Sequence, residues 1–375
     1  MPSLVGTQIT VSLTIDGAKL PIGVYYVNED KPNSARSYRD VVAYDSVYYI
    51  NNLNFAEWYN GLMTSGRFPI KLGVFVTEWF DYIKETTHLM ADVVNLDNLP
   101  NYNFWVQNSL ATPDYPLTTL SGATLFEAIC KASGTFFQIR PLNVDNTSTS
   151  EIVVKGIFVT LSYGSEGLYP SETLLPADTV FPQNDDIKQR FGSATLISCE
   201  HEDFTTEKIS KVRIITEDGG LTVESGEGDN VLIIENNFIF YGGSQSDLQS
   251  ACDTIYDSVK DIQYTPCTIT AIGNPCLQCG DMVAFLSHGK LYKTYILQRT
   301  IKGVQALRDT YFADGNEKRD ECDNSMQNIV MSIDGKMRSQ FKQLENQISA
   351  KVSKIGGEEF SWELESDHFS LYSTI

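Results

Sequence analysis

Near the end of the chain the apolar positions fall in one stripe: Met326, Val330, Ile333, Met337, Phe341, Leu344, Ile348, Val352 and Ile355, with spacings of 4, 3, 4, 4, 3, 4, 4 and 3. Between them lie mostly Gln, Asn, Ser, Lys, Arg, Asp and Glu, so the stripe is narrow and the rest of the surface is wet. An eleven-residue repeat of this kind has about 3.67 residues per turn, and several such helices wind together nearly straight or with a slight right-handed supercoil. Branched Ile and Val dominate the seam, and Phe341 is bulky for a two-stranded core, which points to three or more strands. The same stripe also suits a single amphipathic helix docked on its own domain. Gly335 weakens the helix by roughly 1 kcal/mol, Ile329 and Met331 lie off the stripe, and Gly356-Gly357 ends it.

Upstream the period changes to that of strands. Residues 7–15 alternate, with Ile9, Val11, Leu13 and Ile15 on one face; Asp16-Gly17 supplies a tight turn and a second run, 20–27, completes a hairpin. Residues 31–37 read as loop and 38–50, rich in tyrosine and valine, as a further long strand. Helical spacing follows in 54–63 and 74–87, then an Asn/Asp/Pro-rich irregular stretch, 95–116. Residues 121–133 form a helix capped by Ser121 and stopped by Gly134, and 135–140 return as a strand. The polar run 145–150 marks a first boundary. Beyond it, strands are predicted at 152–163, 194–200, 211–216, 231–234, 267–272, 282–287, 290–300 and 304–311, with turns at 218–220 and 226–228. A helix over 247–262 presents Leu248, Cys252, Ile255, Val259 and Ile262 on one face. This is a β-rich α+β chain of several domains with helices inserted.

Composition narrows the chemistry. The 375 residues carry a formal charge of -20 with the acids spread along the chain, so the surface repels nucleic acid, although an acidic wall past which DNA slides without sticking has the same composition. Lys208, Lys211 and Arg213 are too few and too mixed with acids to form a nucleic-acid patch. No apolar run approaches the ~20 residues of a membrane span, and the first residues lack the basic start and apolar core of a signal peptide, so synthesis in a cytoplasm is expected. Seven scattered cysteines fit reduced thiols better than a disulfide framework.

His88, His201, His288 and His368 stand far apart without metal-ligand spacing. Glu200-His201-Glu202-Asp203 reads as a solvated turn rather than a cation site. Cys276-Leu277-Gln278-Cys279 lacks the second pair that zinc requires and the following helix that a thioredoxin-like site requires. Gly242-Gly243-Ser244 is a helix entry rather than an anion site, and no GxSxG is present. No catalytic residue, cofactor or metal is predicted.

Residues 264–311 carry a more specific signal. Gly273, Asn274, Pro275, Gly280, Asp281, Tyr295, Ile296, Leu297, Gly303 and Leu307 resemble, in type and order, the closing strands of the phage tail hub (baseplate hub, tail-tip) family shared with contractile injection systems. Asn-Pro and Gly-Asp are turn signals that bracket a strand entry, so the motif is architectural. The 9–50 and 121–140 stretches look like the first barrel and the inserted helix-strand module of that family, and 358–372 resembles the strand module that follows the coiled coil in many tail-tip proteins.

The resemblance implies two tail-tube-like β-barrel domains with inserted helical modules and a trimeric C-terminal coiled coil. The corresponding division is a first hub half over 1–150, a second over 151–315, an axial helix over 316–356 and the start of a further β module over 357–375. The implied role is a homotrimeric structural hub at the distal end of a virion tail, adapting a six-fold tube to a three-fold tip and gating passage of DNA or effector. The implied partners are the tail tube and distal tail proteins, the tape measure protein and downstream tip or spike proteins; DNA passes without being bound, and there is no stable membrane insertion. Two other classes fit less of the chain. One is the N-terminal part of a tail-associated cell-wall hydrolase, its enzyme domain lying downstream of Ile375. The other is a receptor-binding adhesin drawing on the 19 Tyr and 19 Phe.

Overall fold

A computed structural model describes residues 3–15, 18–33, 38–108, 117–142, 153–161, 187–216, 221–302, 307–318, 360–364 and 369–373. The chain divides into two compact units, Met1–Glu321 and Cys322–Ile375.

The first unit opens with strands β1 (Gln8–Ile15), β2 (Ala18–Asn33) and β3 (Tyr38–Tyr44), an antiparallel sheet of order β1-β2-β3. The predicted strand over 38–50 ends early. Asp45 accepts the Tyr48 backbone N–H at 3.2 Å and caps helix α1 (Ser46–Asn52), so a local cap overrides the β propensity of Val47, Tyr48 and Tyr49. The predicted loop over 31–37 is likewise shortened, since β2 continues to Asn33.

Helix α2 (Ala56–Thr64), strand β4 (Ile70–Lys71) and helix α3 (Leu72–Thr86) follow. Leu72, Phe75, Val76, Trp79, Phe80 and Ile83 lie at helical spacing, and all are buried. The two-residue strand β5 (Val93–Val94) precedes the stretch expected to be irregular, and the two-residue strand β6 (Trp105–Val106) interrupts it and pairs with β4. Helix α4 (Gly122–Ser133) has the predicted ends: Ser121 accepts from Thr124 N at 3.1 Å, and Gly134 closes it in the left-handed region. Strands β7 (Phe136–Leu142) and β8 (Val153–Val159) pair antiparallel, joined through residues that include the polar 145–150 run, and β5 pairs with β8.

The remaining strands are β9 (Ile187–Phe191), β10 (Leu196–His201), β11 (Lys211–Ile215), β12 (Thr222–Gly226) and β13 (Val231–Glu235). Helix α5 (Gln245–Val259) leads to β14 (Cys267–Ile272), β15 (Met282–Ser287), β16 (Lys290–Tyr295), β17 (Gln298–Lys302) and β18 (Arg308–Ala313). The single strand expected over 290–300 breaks at Ile296-Leu297 into β16 and β17, which belong to different sheets. Strands β9 and β12 were not legible in the sequence. Gly242-Gly243-Ser244 is the helix entry predicted, with Ser244 accepting from Asp247 N at 3.2 Å.

Two cores result. The larger joins α1 to α4 to the β12-β11-β13 sheet and α5, with Phe55, Trp79 and Phe126 packed edge to face at its centre and Val212, Ile214, Cys252 and Ile255 on its far side. The smaller lies between the four-stranded sheet β10-β14-β18-β17 and the sheet β16-β15-β9, filled by Phe191, Ile269, Val283, Phe285, Ile296 and Tyr311. The architecture is β-rich α+β, and the sheets of the described residues are open, four strands at most. No helix among the described residues is long and apolar enough to cross a membrane.

Of the second unit, the described residues form a hairpin, β19 (Phe360–Leu364) with β20 (Phe369–Ser373). The seam positions Met326, Val330, Ile333, Met337, Phe341, Leu344, Ile348, Val352 and Ile355 lie outside the described residues.

Candidate functional site

The Gly273 to Asp281 motif is the connection that carries the chain from β14 in one sheet to β15 in the other. Its geometry follows from its residue types. Asn274 Oδ1 accepts the Cys276 backbone N–H at 3.0 Å, an Asx turn across Pro275, and Leu277 N closes on Asn274 O at 3.2 Å. A second small turn follows, in which Gln278 N donates to Asp281 Oδ2 at 2.8 Å and Asp281 N to Gln278 O at 3.2 Å. Gly280 holds φ +93°, and a Cβ there would come within 2.6 Å of the Phe136 ring, so this position is restricted to glycine twice over. Gly280 N donates to Ile296 O at 2.7 Å and Ile296 N to Asp281 O at 2.9 Å, which seats the turn on the point where β16 ends.

A buried ion pair fastens this turn. Arg299 Nη2 donates to Asp309 Oδ2 at 2.6 Å and to Asn274 O at 2.7 Å, and Nη1 donates to Leu277 O. Asp309 is 0% exposed and also accepts from Tyr311 Oη at 2.7 Å and from Asn274 N at 3.0 Å. Burial raises the Tyr311 phenol well above its ordinary value, and its bond to Asp309 raises it further. The guanidinium thus reads two turn carbonyls and one carboxylate at once, a use of its rigid fork that a lysine cannot reproduce. Sequence reasoning named the turn but missed Arg299 and Asp309. The arginine sits on a strand opposite Tyr311, and only the register of β17 on β18 brings it diagonal to Asp309.

The turn also meets the first half of the unit. Gln138 Nε2 and Arg140 Nη2 on β7 donate to Cys279 O at 3.3 and 3.4 Å. Burial holds the Asp281 carboxyl above its usual value, while the Gln278 N–H and the charge of Arg140 pull it back. The bonds that Arg299 and Asp309 make are directed at each other, at the main chain of the turn or at Tyr311, and Asn274 Nδ2 donates to Gln189 Oε1 on β9 at 2.7 Å. The arrangement can hold two sheets and β7 together, and it offers no group poised for proton or acyl transfer.

The other residues singled out by the sequence fall elsewhere. His201 Nδ1 meets Glu202 O at 2.8 Å and Nε2 meets Ser287 Oγ at 3.0 Å, so both ring nitrogens are spent within the protein. No group of three or more His, Cys, Asp or Glu that could hold a metal occurs among the described residues, Cys276 and Cys279 included. Lys208 pairs with Asp261 at 3.0 Å, and Lys211 and Arg213 both pair with Glu224.

No protein-family profile matches the chain, and no curated protein matches it. Similar solved structures exist. They are phage tail and baseplate proteins. A tail protein from Neisseria meningitidis MC58 matches with a TM-score of 0.41 and 11% identity over 84% of this chain and 86% of that one. The prophage MuSo2 43 kDa tail protein from Shewanella oneidensis gives a TM-score of 0.36 and 11% identity over 80% and 79% of the two chains. A chain of the phage P2 baseplate in its activated conformation with Ca gives 0.29 and 12% over 83% and 81%. At these TM-scores the functional reading rests on the chain's own residues.

The cysteines set a pH limit on stability. Burial pushes the Cys252 and Cys267 thiols up to about 12, against an ordinary value of 9.0. Above pH 9 the unfolded chain releases these protons while the folded chain keeps them, so the folded state binds more protons and stability falls as pH rises. Each buried thiol contributes a slope of about 1.4 kcal/mol per pH unit in that window. Urea midpoints measured from pH 7 to 11 should be unaffected by these two thiols below about pH 9 and drop beyond it, and Cys252→Ala should reduce the alkaline slope.

Proposed function

We propose that the chain is a structural homotrimeric hub at the distal end of a phage or phage-like tail, adapting a six-fold tube to a three-fold tip and gating the passage of DNA or effector. The observation that carries this reading is the 273–281 turn. The residues that resemble the hub family's closing motif, Gly273, Asn274, Pro275, Gly280 and Asp281, are the ones that shape a two-sheet connection locked by Arg299 and Asp309. Such a lock is architectural and gives the motif a reason to exist in a protein that bears mechanical load rather than substrate.

Two further features support it. In this reading residues 1–150, with the β1-β2-β3 sheet, and residues 151–315, with the sheets around Phe285, are the two tube-like halves of each subunit. Three subunits then present six such halves to the tube. The charge of -20 suits a channel that DNA traverses without binding. The 316–356 segment is the axial helix that carries tip or spike partners, and the tube, distal tail and tape measure proteins are the remaining neighbours. In this role the protein is made in the host cytoplasm, resides in the virion tail and is not an enzyme.

Electron-microscopic averages of the purified chain test this reading. The hub predicts a ring of six β lobes with three-fold symmetry about an axial stem. Particles of two lobes, one chain each, at micromolar concentration would contradict it.

A further inference from the structure

Between the 96–105 segment and the outer face of α5 lies an open cleft of about 370 Å³, a volume in the range of small-molecule sites. Its lining mixes polar and aromatic groups: Asp97, Asn103 and Trp105, with Tyr102 and Phe104, on one side, and Asp247, Ser250 and Thr254 on the other. Trp105 is 45% exposed, unlike Trp58 and Trp79, which are buried in the core. An indole left on the surface beside a cleft is a rigid apolar platform with little rotamer entropy to lose on binding.

The platform is set in place beforehand. β4 pairs Lys71 directly with Trp105, the Lys71 ammonium lies 5.7 Å from the ring centroid, and it donates to Asn103 Oδ1 at 2.9 Å. That bond orients the Asn103 amide and leaves its N–H groups as donors. Asp247 uses one oxygen to accept from Ser244 Oγ at 2.7 Å, which leaves the other as an acceptor. Asp97 on the opposite wall is exposed.

We infer that this cleft binds a neutral oligosaccharide of pyranose rings. The chemistry selects that class. A stacked indole covers the C–H face of a sugar ring, and carboxylates and an amide take its hydroxyls; Asp97 and Asp247 outnumber Lys71, whose ammonium is tied to Asn103, so the cleft disfavours phosphorylated, sulfated and uronic ligands. The site stands apart from the 273–281 turn and does not depend on the hub reading.

The test is a titration of the full chain with chitotetraose and with cellotetraose, followed by tryptophan emission and calorimetry. We expect a saturable emission change and heat with at least one of the two. Trp105→Ala should weaken binding by about tenfold or more, the loss expected on deleting an aromatic anchor, with an unchanged melting temperature. Asp247→Asn, which keeps the side chain's shape, should weaken it as well and serves if Trp105→Ala folds poorly. Absence of saturable binding to both sugars at millimolar concentration would overturn the inference. So would full affinity retained in both variants, or a preference for a sulfated oligosaccharide of the same length.

Discussion

Replacing Arg299 by Met is expected to lower the unfolding free energy by about 3–5 kcal/mol, the cost of removing one partner of a buried ion pair and stranding the other. The magnitude follows from where the charge would be left. Asp309 is 0% exposed, and the Arg299 side chain that neutralises it is 11% exposed. Without the guanidinium, the carboxylate keeps only Tyr311 Oη and Asn274 N, while the carbonyls of Asn274 and Leu277 lose their donor. Methionine matches the arginine stem in apolar bulk, so the loss reports charge and hydrogen bonds rather than a cavity. A second substitution sharpens the test. Asp309→Asn in the Arg299→Met background removes the stranded charge yet keeps an oxygen acceptor, and should recover part of the loss. Urea denaturation of the wild type, the single and the double variant measures this, and a double variant less stable than the single one would contradict the account.

Asp at both Ile348 and Val352 is expected to abolish self-association. In a three-stranded seam each substitution places three carboxylates around one axis, in a layer where Ile or Val otherwise packs. Burying even one unpaired carboxylate costs several kcal/mol, and six in two successive layers exceed what a short seam of about three repeats can supply. The first unit does not share this dependence. Its cores are built from residues 50–311, so the variant should keep the wild-type circular dichroism of that unit while its mass falls to that of one chain. An unchanged mass would mean that the subunits meet elsewhere. An unchanged mass together with a monomeric wild type would favour the other reading of the stripe, one amphipathic helix docked on its own domain.

The parts of the fold legible in the sequence are those whose determinants are local. Helix α4 reads at both ends because Ser121 and Gly134 cap it with their own chemistry, and β14 and β15 read to the residue because a short alternating run and a short continuous apolar run are bounded there by Pro266, Gly273 and Asp281. Misreadings occur where a short signal competes with a long one. Val47, Tyr48, Tyr49 and Ile50 favour a strand, yet one capping aspartate turns them into a helix, whose Ile50 side chain then enters the large core. Strands β9 and β12 have five residues each and are fixed by their neighbours: β9 pairs parallel with β15 and β12 pairs with β11, relations that no local pattern encodes.

The candidate site divides in the same way. Asn274, Pro275, Gly280 and Asp281 are turn formers and announce themselves, and the resemblance to hub proteins rests on them. Arg299 and Asp309 are the residues that make the turn rigid, but an arginine and an aspartate ten positions apart in strand-like sequence look like ordinary surface charge. Only the register of two strands and the burial of the carboxylate reveal a lock. The cleft at Trp105 was hidden for a related reason. Its walls come from a stretch read as irregular and from the polar face of α5, which the helical pattern assigns to solvent.

The most direct test of the hub account is the mass of the chain in solution, by size exclusion with multi-angle light scattering at micromolar concentration. The account predicts a single species of three times 41.9 kDa. A monodisperse species of 41.9 kDa, stable to a tenfold rise in concentration, would contradict it.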